Sequence, residues 1–468
     1  MNLDQSMRRF DAWNQPPTGG TQDVFYSRKS IVPLPMMERA EGIWFWDESG
    51  KSYIDASSGP MVSALGHGNP RVIDAIARQG RKLDYAYTLV ARNRLNLDYA
   101  SRLADMAGPG FERVSLCSGG SEAIDNALKF ARQYALALGQ PTRRRVISLE
   151  PSYHGATIGT LAAGGNVALH PFLDGFATRA DLVPAPFAYR LPEGETPESY
   201  AALCARALER KIEELGPENV LAFLIEPVGG ISSGAVVPPP SYFKAIREIC
   251  TRHGLFLIFD EVLCGAGRSG KFITAHHWPK ALPDIIVQAK GIGAGYAPLG
   301  AMWVSRALAD PLAEIAGFDF SYSYNANPMA CAAGLAVLDE FERLDLCANA
   351  ATRGAQLRAG LEALQQRYPI IGDVRGMGLL LAVELVADPV TKASLPAEFQ
   401  ATSRLRIHGL EHGIMLYARA SAGGRFGQWF LLAPPLTVTA AEIEEILSRT
   451  DKALRDLSRD AAVAGYLA

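Results

Sequence analysis

"DIIVQAKGIGAGYAPLG", residues 284–300, begins as an apolar run, breaks at one lysine and continues into a loop crowded with glycine. The run reads as a strand buried on both faces, and Lys290 stands where that strand reaches the edge of its sheet. Similar runs recur on either side: "ERVSLCS" (112–118), "RRRVISLE" (143–150), "VLAFLIEPV" (220–228), "LFLIFDEV" (255–262) and "LGAMWVS" (299–305). Several are continuously apolar rather than alternating. Between them lie helical patterns such as "SEAIDNALKFARQYALAL" (121–138) and "SYAALCARALERKIEEL" (199–215). Strands alternating with helices imply an α/β fold with a mostly parallel sheet covered on both sides.

The chain ends read differently. "AEGIWFWDESGKSYIDA" (40–56) has the pattern of a hairpin turning at Glu48-Ser49-Gly50. Beyond Pro328 a long helical stretch precedes "DVRGMGLLLAVEL" (373–385), a further helix and "FGQWFLLAPPLTVT" (426–439). We therefore expect an amino-terminal segment over 1–60, a large domain over 61–328 and a smaller α+β domain over 329–468, which the amino-terminal segment joins.

Composition excludes several classes. The 468 residues are 48% hydrophobic and 20% charged, which argues against disorder and fibrous repeats. A net charge of −3, with only Arg143-Arg144-Arg145 as a basic cluster, offers no nucleic-acid or anionic-membrane surface. Six cysteines without a C-x-x-C pair argue against a zinc ribbon or a disulfide scaffold and fit a reducing compartment. "MNLDQSMRRFDAW" at the amino terminus has an early acid and no apolar core, so no secretory signal is expected. No apolar run approaches the ~18 residues of a membrane span. The expectation is a cytoplasmic protein.

In open α/β sheets ligands collect at the carboxyl ends of the strands, so the polar residues closing the apolar runs carry the functional question. These are Ser118-Gly119-Gly120-Ser121, Tyr153-His154-Gly155, Glu226, Asp260-Glu261 and Lys290. Each alone can be a strand reaching water. Together they say more. Gly120-Ser121 opens an amphipathic helix, whose backbone N–H groups suit a phosphate, yet neither a P-loop nor a G-x-G-x-x-G dinucleotide turn is present. Asp260 offers a buried carboxylate for a protonated ring nitrogen, and Lys290 an amine for an aldehyde. A phosphate cradle, such a carboxylate and such an amine describe a pyridoxal 5'-phosphate site.

Six ordered stretches carry a resemblance that spans about residues 40–450: "SGGSEAIDNALKFAR", "SYHGAT", "LIEPVGG", "LIFDEVLCGAGRSGKF", "QAKGIGAGYAPLGA" and "YSYNANPMACAAGLAVLD". They resemble the class III, or ω-, aminotransferases, pyridoxal phosphate enzymes of fold type I. The resemblance implies that Lys290 forms the internal Schiff base and that Asp260 pairs with the pyridine nitrogen. It implies Val262 on one ring face, Tyr153 over the other with His154 nearby, and Gly120 and Ser121 at the phosphate. The family's T-Y-[SN]-[GA]-H-P stretch, whose threonine reaches the phosphate of a neighbouring subunit, is Ser323-Tyr324-Asn325-Ala326-Asn327-Pro328 here. Serine keeps the hydroxyl, and Asn327 departs from the family histidine. A homodimer with shared sites follows from the resemblance.

The chemistry explains the residue types. A free lysine, with a pKa of about 10.4, is an uncharged amine in only roughly one molecule in 2,500 at pH 7, and imine formation with desolvation removes that limit. The implied reaction is a ping-pong transfer of an amino group from an amine or ω-amino acid to a keto acid such as pyruvate, with Lys290 moving the substrate proton. For the substrate, Met61 in "DASSGPMVSALGHGNP" stands where many relatives carry tryptophan, and a flexible methionine reshapes a flat wall. Arg419 and Arg425, within "GIMLYARASAGGRFGQWFLLAPPL", are candidates for the keto-acid carboxylate, with Glu226 a possible counter-charge.

Other readings compete. Aminomutases, racemases and a decarboxylase share these motifs, and a scaffold that has lost catalysis is argued against by the joint presence of Lys290, Asp260 and Tyr153. "HGLEH" (408–412) matches the inverted zinc-protease pattern, but Gly409 weakens the helix that site needs and no metal is expected. His276-His277 lacks ligand spacing, Arg268 is read as structural, and the glycines of "RGMG" (375–378) as close packing.

Overall fold

The computed structural model describes residues 34–467 apart from 319, 422 and 423. The amino-terminal stretch read above for a secretory signal lies outside the described residues. Three short strands open the described chain: β1 (Met37–Glu41), β2 (Trp44–Asp47) and β3 (Ser52–Asp55), paired antiparallel. The β2–β3 turn falls at Glu48–Gly50. Asp47 fixes it by accepting hydrogen bonds from the Ser49 and Lys51 amides and the Tyr53 hydroxyl.

Seven strands then form the large sheet: β4 (Arg113–Cys117), β5 (Arg145–Glu150), β6 (Asp181–Pro184), β7 (Val220–Ile225), β8 (Phe256–Asp260), β9 (Ile285–Gln288) and β10 (Gly300–Val304). Their order is β4-β10-β9-β8-β7-β5-β6. All neighbours are parallel except β10, which runs antiparallel to both β9 and β4. Six of these strands are the six apolar runs of the sequence. The seventh, β6, is a four-residue edge strand with only Val183 buried, too short to leave a periodic signal.

The continuous apolar runs are explained by burial on both faces. Ile258, Ile285, Val287, Met302 and Val304 pack with Ala123, Ile124, Ala127 and Phe130 of the helix Gly120–Ala137. Their alternating neighbours Leu257, Phe259, Ile286, Ala301 and Trp303 join the opposite core with Leu208, Phe243 and Ile246 of helices Pro197–Leu215 and Pro240–His253. The layering is helix, sheet, helix.

After helices Pro328–Arg343 and Leu346–Arg367 comes a smaller antiparallel sheet made of β11 (Ile371–Met377), β12 (Leu380–Leu385), β14 (Tyr417–Ala420) and β15 (Gln428–Leu432), in the order β11-β12-β15-β14. The two-residue strand β13 (Ile414–Met415) leaves that region and pairs in parallel with β3, bringing the two ends of the chain together. Arg268 sits at this junction. It is buried, and it donates to the carbonyls of Leu379 and Pro434 and to the Ser58 hydroxyl. Among the described residues no helix is long and apolar enough to cross a membrane.

The "HGLEH" stretch ends the helix Ala401–Glu411, which runs through Gly409 without interruption. Glycine is required there because a Cβ would stand 2.8 Å from the Ile414 carbonyl. His408 faces Asp460 at 2.9 Å and Glu411 at 3.1 Å, and His412 faces Asp456 at 2.7 Å, so both imidazoles bind the carboxyl-terminal helix Ala440–Val463. Burial disfavours the charged form of His408, but the hydrogen bonds to Asp460 and Glu411 outweigh it and raise its pKa to about 9. The ordinary value is 6.5. Protonated His408 therefore supports the folded chain fully below that value, and the support is lost as pH rises through about 9. The thermal unfolding midpoint is expected to fall between these two pH values more steeply in the wild type than in His408→Gln; parallel slopes in calorimetry would disprove the assignment.

Candidate active site

The carboxyl ends of β4, β5, β7, β8 and β9 meet around a cavity of about 150 Å³ lined by Gly120, Ser121, Tyr153, His154, Glu226, Asp260, Val262 and Lys290, with Gly155, Ile231 and Leu263. A larger groove of about 460 Å³ lies between helices Pro70–Lys82 and Pro328–Arg343, and no comparable chemistry converges there.

Lys290 opens a single 3₁₀ turn directly after β9, with φ at +46°, a left-handed conformation unusual for a residue with a side chain. The loop's glycines permit this course: a Cβ on Gly291 would meet Ala266 at 2.7 Å, and one on Gly293 the Ala297 carbonyl at 2.3 Å. Their tightness serves the protein's own turn rather than the cavity. The Lys290 amine is desolvated by its surroundings while part of the residue stays open to the cavity. Burial pushes its pKa down, and the negative charges of Asp260 and Glu226 act against that shift.

Asp260 ends β8, and its two oxygens are committed differently. Oδ1 accepts the Val262 amide at 3.0 Å, and Oδ2 lies 2.9 Å from His154 Nδ1. The far nitrogen of that ring, Nε2, is 3.0 Å from the Ser148 hydroxyl, itself 3.0 Å from the Ser152 hydroxyl, which accepts the Gly165 amide at 2.9 Å. In one proton order Nδ1–H donates to the carboxylate, Ser148 donates to Nε2, Ser152 to Ser148, and Gly165 N–H to Ser152; the Leu224 carbonyl, 3.3 Å from Ser148 Oγ, competes for the Ser148 proton. All four side chains are buried. Ser148 and Ser152 were missed from sequence; the available signal was one hydroxyl inside the apolar strand "RVISLE".

Tyr153 is half-buried, and burial raises its pKa against the opposing charge of nearby Arg419. Its amide donates to Glu226 Oε2 at 3.1 Å. Glu226 also accepts the Gly230 amide at 2.9 Å and the Ser232 hydroxyl at 3.1 Å, so its carboxyl is tied to backbone and serine rather than to an arginine. Burial raises its pKa. The helix Gly120–Ala137 begins without a side-chain cap. Its first-turn amides and positive dipole end are thus available to an anion at the cavity. A Cβ on Gly120 would stand 2.9 Å from Val262, so only glycine lets this backbone come so close. Ser121 Oγ accepts the Ala156 amide at 3.0 Å.

The remaining sequence candidates are not part of the cavity lining. Met61 is buried with φ at +60° and lies outside the cavity lining. Arg419, on β14, contacts the Tyr417 hydroxyl at 3.3 Å and has no carboxylate partner among the described residues. Arg425 is mostly exposed and is paired with Glu150 at 2.8 Å. Ser323 is exposed on the loop before Pro328, its carbonyl held by the Tyr85 hydroxyl at 2.9 Å. Asn327, where relatives carry histidine, caps the helix Pro328–Arg343 by accepting the Met329 and Ala330 amides, and its amide group donates to the Asp84 carbonyl.

An amine, a carboxylate and an uncapped helix start around one cavity, on a helix-covered mostly parallel sheet, define a fold-type-I pyridoxal phosphate enzyme. Residues 25–454 match the model of the family described as aminotransferase class-III. The chain is 35% identical over 440 residues to an uncharacterised aminotransferase of Schizosaccharomyces pombe, covering 92% of this chain and 94% of that one. An amine transaminase from an uncultivated Pseudomonas species, solved in its PLP-bound form, superposes with a TM-score of 0.87 at 36% identity, covering 94% of this chain and 99% of that one. The ω-transaminase of Pseudomonas jessenii in complex with PMP also gives 0.87, at 29% identity over 98% of this chain and 99% of that one. The chain belongs to the class III aminotransferases. It is a pyridoxal phosphate-dependent transaminase.

The hydroxyl series behind Asp260 carries a test. Ser148→Ala strands His154 Nε2 without a donor, and a buried unpaired group costs about 1–3 kcal/mol. Urea unfolding of the variant should show a loss of that size, whereas an unchanged midpoint would mean that Ser148 does not donate to the ring.

Proposed function

We propose that this transaminase takes its amino group from an amine or ω-amino acid and passes it to a small keto acid such as pyruvate. Convergence of Lys290, Asp260 and the uncapped start of the Gly120–Ala137 helix on one cavity carries the reading of the site. Bound pyridoxal phosphate supplies an aldehyde for the amino group and an electron-withdrawing ring. Lys290 would hold that aldehyde and, as a free amine, would serve as the base for the proton on the substrate carbon bearing the amine. A depressed pKa suits it to act as a base. Asp260 holds a proton on the ring nitrogen, with His154 fixing the orientation of its carboxylate. Gly120 and Ser121 would hold the phosphate, and Val262 and Tyr153, which line the same cavity, would lie against the ring.

Arg419 is the better placed of the two arginines for the keto-acid carboxylate. It neighbours Tyr153 and has no acidic partner among the described residues, whereas Arg425 is engaged by Glu150. Ser323 belongs to the second site of a homodimer. Beside it Tyr85 and Tyr324 are exposed, and Leu89 and Val90 a few residues beyond Tyr85 are exposed as well, apolar surface of the kind a partner subunit covers. A cytoplasmic setting completes the reading, since all six cysteines are unpaired thiols.

Purified protein should show a visible chromophore that borohydride fixes to Lys290, and Lys290→Ala should keep the fold while losing both chromophore and turnover. A panel of donors against pyruvate and 2-ketoglutarate, read by loss of the aldehyde-form absorbance, tests the donor class. Equal response to every donor would remove the ω-amine assignment. Arg419→Ala should raise KM for the keto acid roughly 10- to 100-fold, the range of a lost charged hydrogen bond, while Arg425→Ala leaves it near the wild type. The reverse pattern would transfer the role to Arg425.

A further inference from the structure

We infer that Arg375 is a positioning residue for the reaction, holding the loop Gly229–Gly234 in place as a wall of the cavity. The inference rests on the reading that Tyr153 and Glu226 border the substrate. The loop sequence, Gly-Gly-Ile-Ser-Ser-Gly, has little stiffness of its own, so its shape has to be imposed from outside. Arg375 reaches it from β11 in the smaller sheet. Nε donates to the Gly234 carbonyl at 2.6 Å and Nη2 to the Ser233 carbonyl at 3.1 Å. The rest of the guanidinium is fixed from behind: Nη1 lies 3.1 Å from Asp373, Nη2 lies 2.7 Å from Glu384, and the group stacks over Phe187 and Trp429. Glu384 is fully buried and also binds Arg190 at 2.7 Å, so it keeps a cation when Arg375 is replaced.

From the loop, hydrogen bonds continue to the cavity without a gap. Gly234 N–H donates to the Gly230 carbonyl at 2.9 Å, Gly230 N–H and the Ser232 hydroxyl donate to Glu226, and the oxygen that takes Ser232 also takes the Tyr153 amide. Ile231, between these anchors, lines the cavity. Gly234 has φ at +67°, and a Cβ there would stand 2.8 Å from Arg375 and 2.7 Å from Trp429, so the loop is pressed against its clamp. The planar fork spans two carbonyls and two carboxylates at once, which a lysine ammonium cannot do.

The test compares wild-type holoenzyme with R375M and R375K by hydrogen exchange, cofactor absorbance, and KM and kcat for the best amino donor with pyruvate. In R375M the amides of Gly230 and Gly234 should lose protection and the chromophore should stay. KM for the donor should rise about tenfold while kcat stays within ~3-fold, with R375K in between. Unchanged exchange and unchanged KM beside a lowered melting temperature would reduce Arg375 to a structural residue and overturn the inference, as would loss of the chromophore with KM intact. If R375M does not fold, R375K alone decides by the same readouts. A wild type that turns over no donor would sink the proposed function, while the exchange comparison would still decide whether Arg375 holds the loop.

Discussion

The site depends on keeping an ionised carboxylate, Asp260, at the end of a buried strand. Such a charge is costly in an apolar sheet unless both oxygens are bonded. The Val262 amide takes one, and His154 takes the other. That second partner is itself held by two serines and a backbone amide at the end of β5, two strands away. The carboxylate is thereby aimed rather than merely tolerated, and its charge helps to counter the desolvation of the Lys290 amine next to it.

Around this pair the two faces of the sheet are filled so completely that the strand ends have little freedom. β7, β9 and β10 have every residue buried. Close packing of this kind turns the polar residues that end these strands into fixed points. The proposed substrate side is different in character: it comprises a glycine- and serine-rich loop, Arg419 of β14 and Tyr153, with Arg375 reaching that loop from the smaller sheet.

Much of this was legible in the sequence. The central strands could be read because two-sided burial makes them continuously apolar, and the site residues because they interrupt those runs. β6 was illegible because an edge strand of four residues, closed by Asp181 and Pro184, carries no period. Ser148 was hidden by its small size inside an apolar strand. Arg375 was hidden because its partners at Gly234, Ser233 and Phe187 are distant in sequence, and only the fold assembles them. Asn327, a bare departure from a motif in sequence, has a physical role as a helix cap and as a tie to Asp84.

Because β10 runs back between β9 and β4, Gly300 pairs with Cys117, and the segment from Lys290 to Leu299 must span the sheet edge between the amine and the anion-binding helix. Gly300 is packed so tightly there that a Cβ would stand 2.5 Å from the Gly119 carbonyl. The span is consequently a ruler. A residue inserted or deleted within it would alter the separation of Lys290 from the start of the helix Gly120–Ala137, the two groups proposed to hold opposite ends of the cofactor. Length in this segment is therefore under a geometric constraint that ordinary surface loops escape.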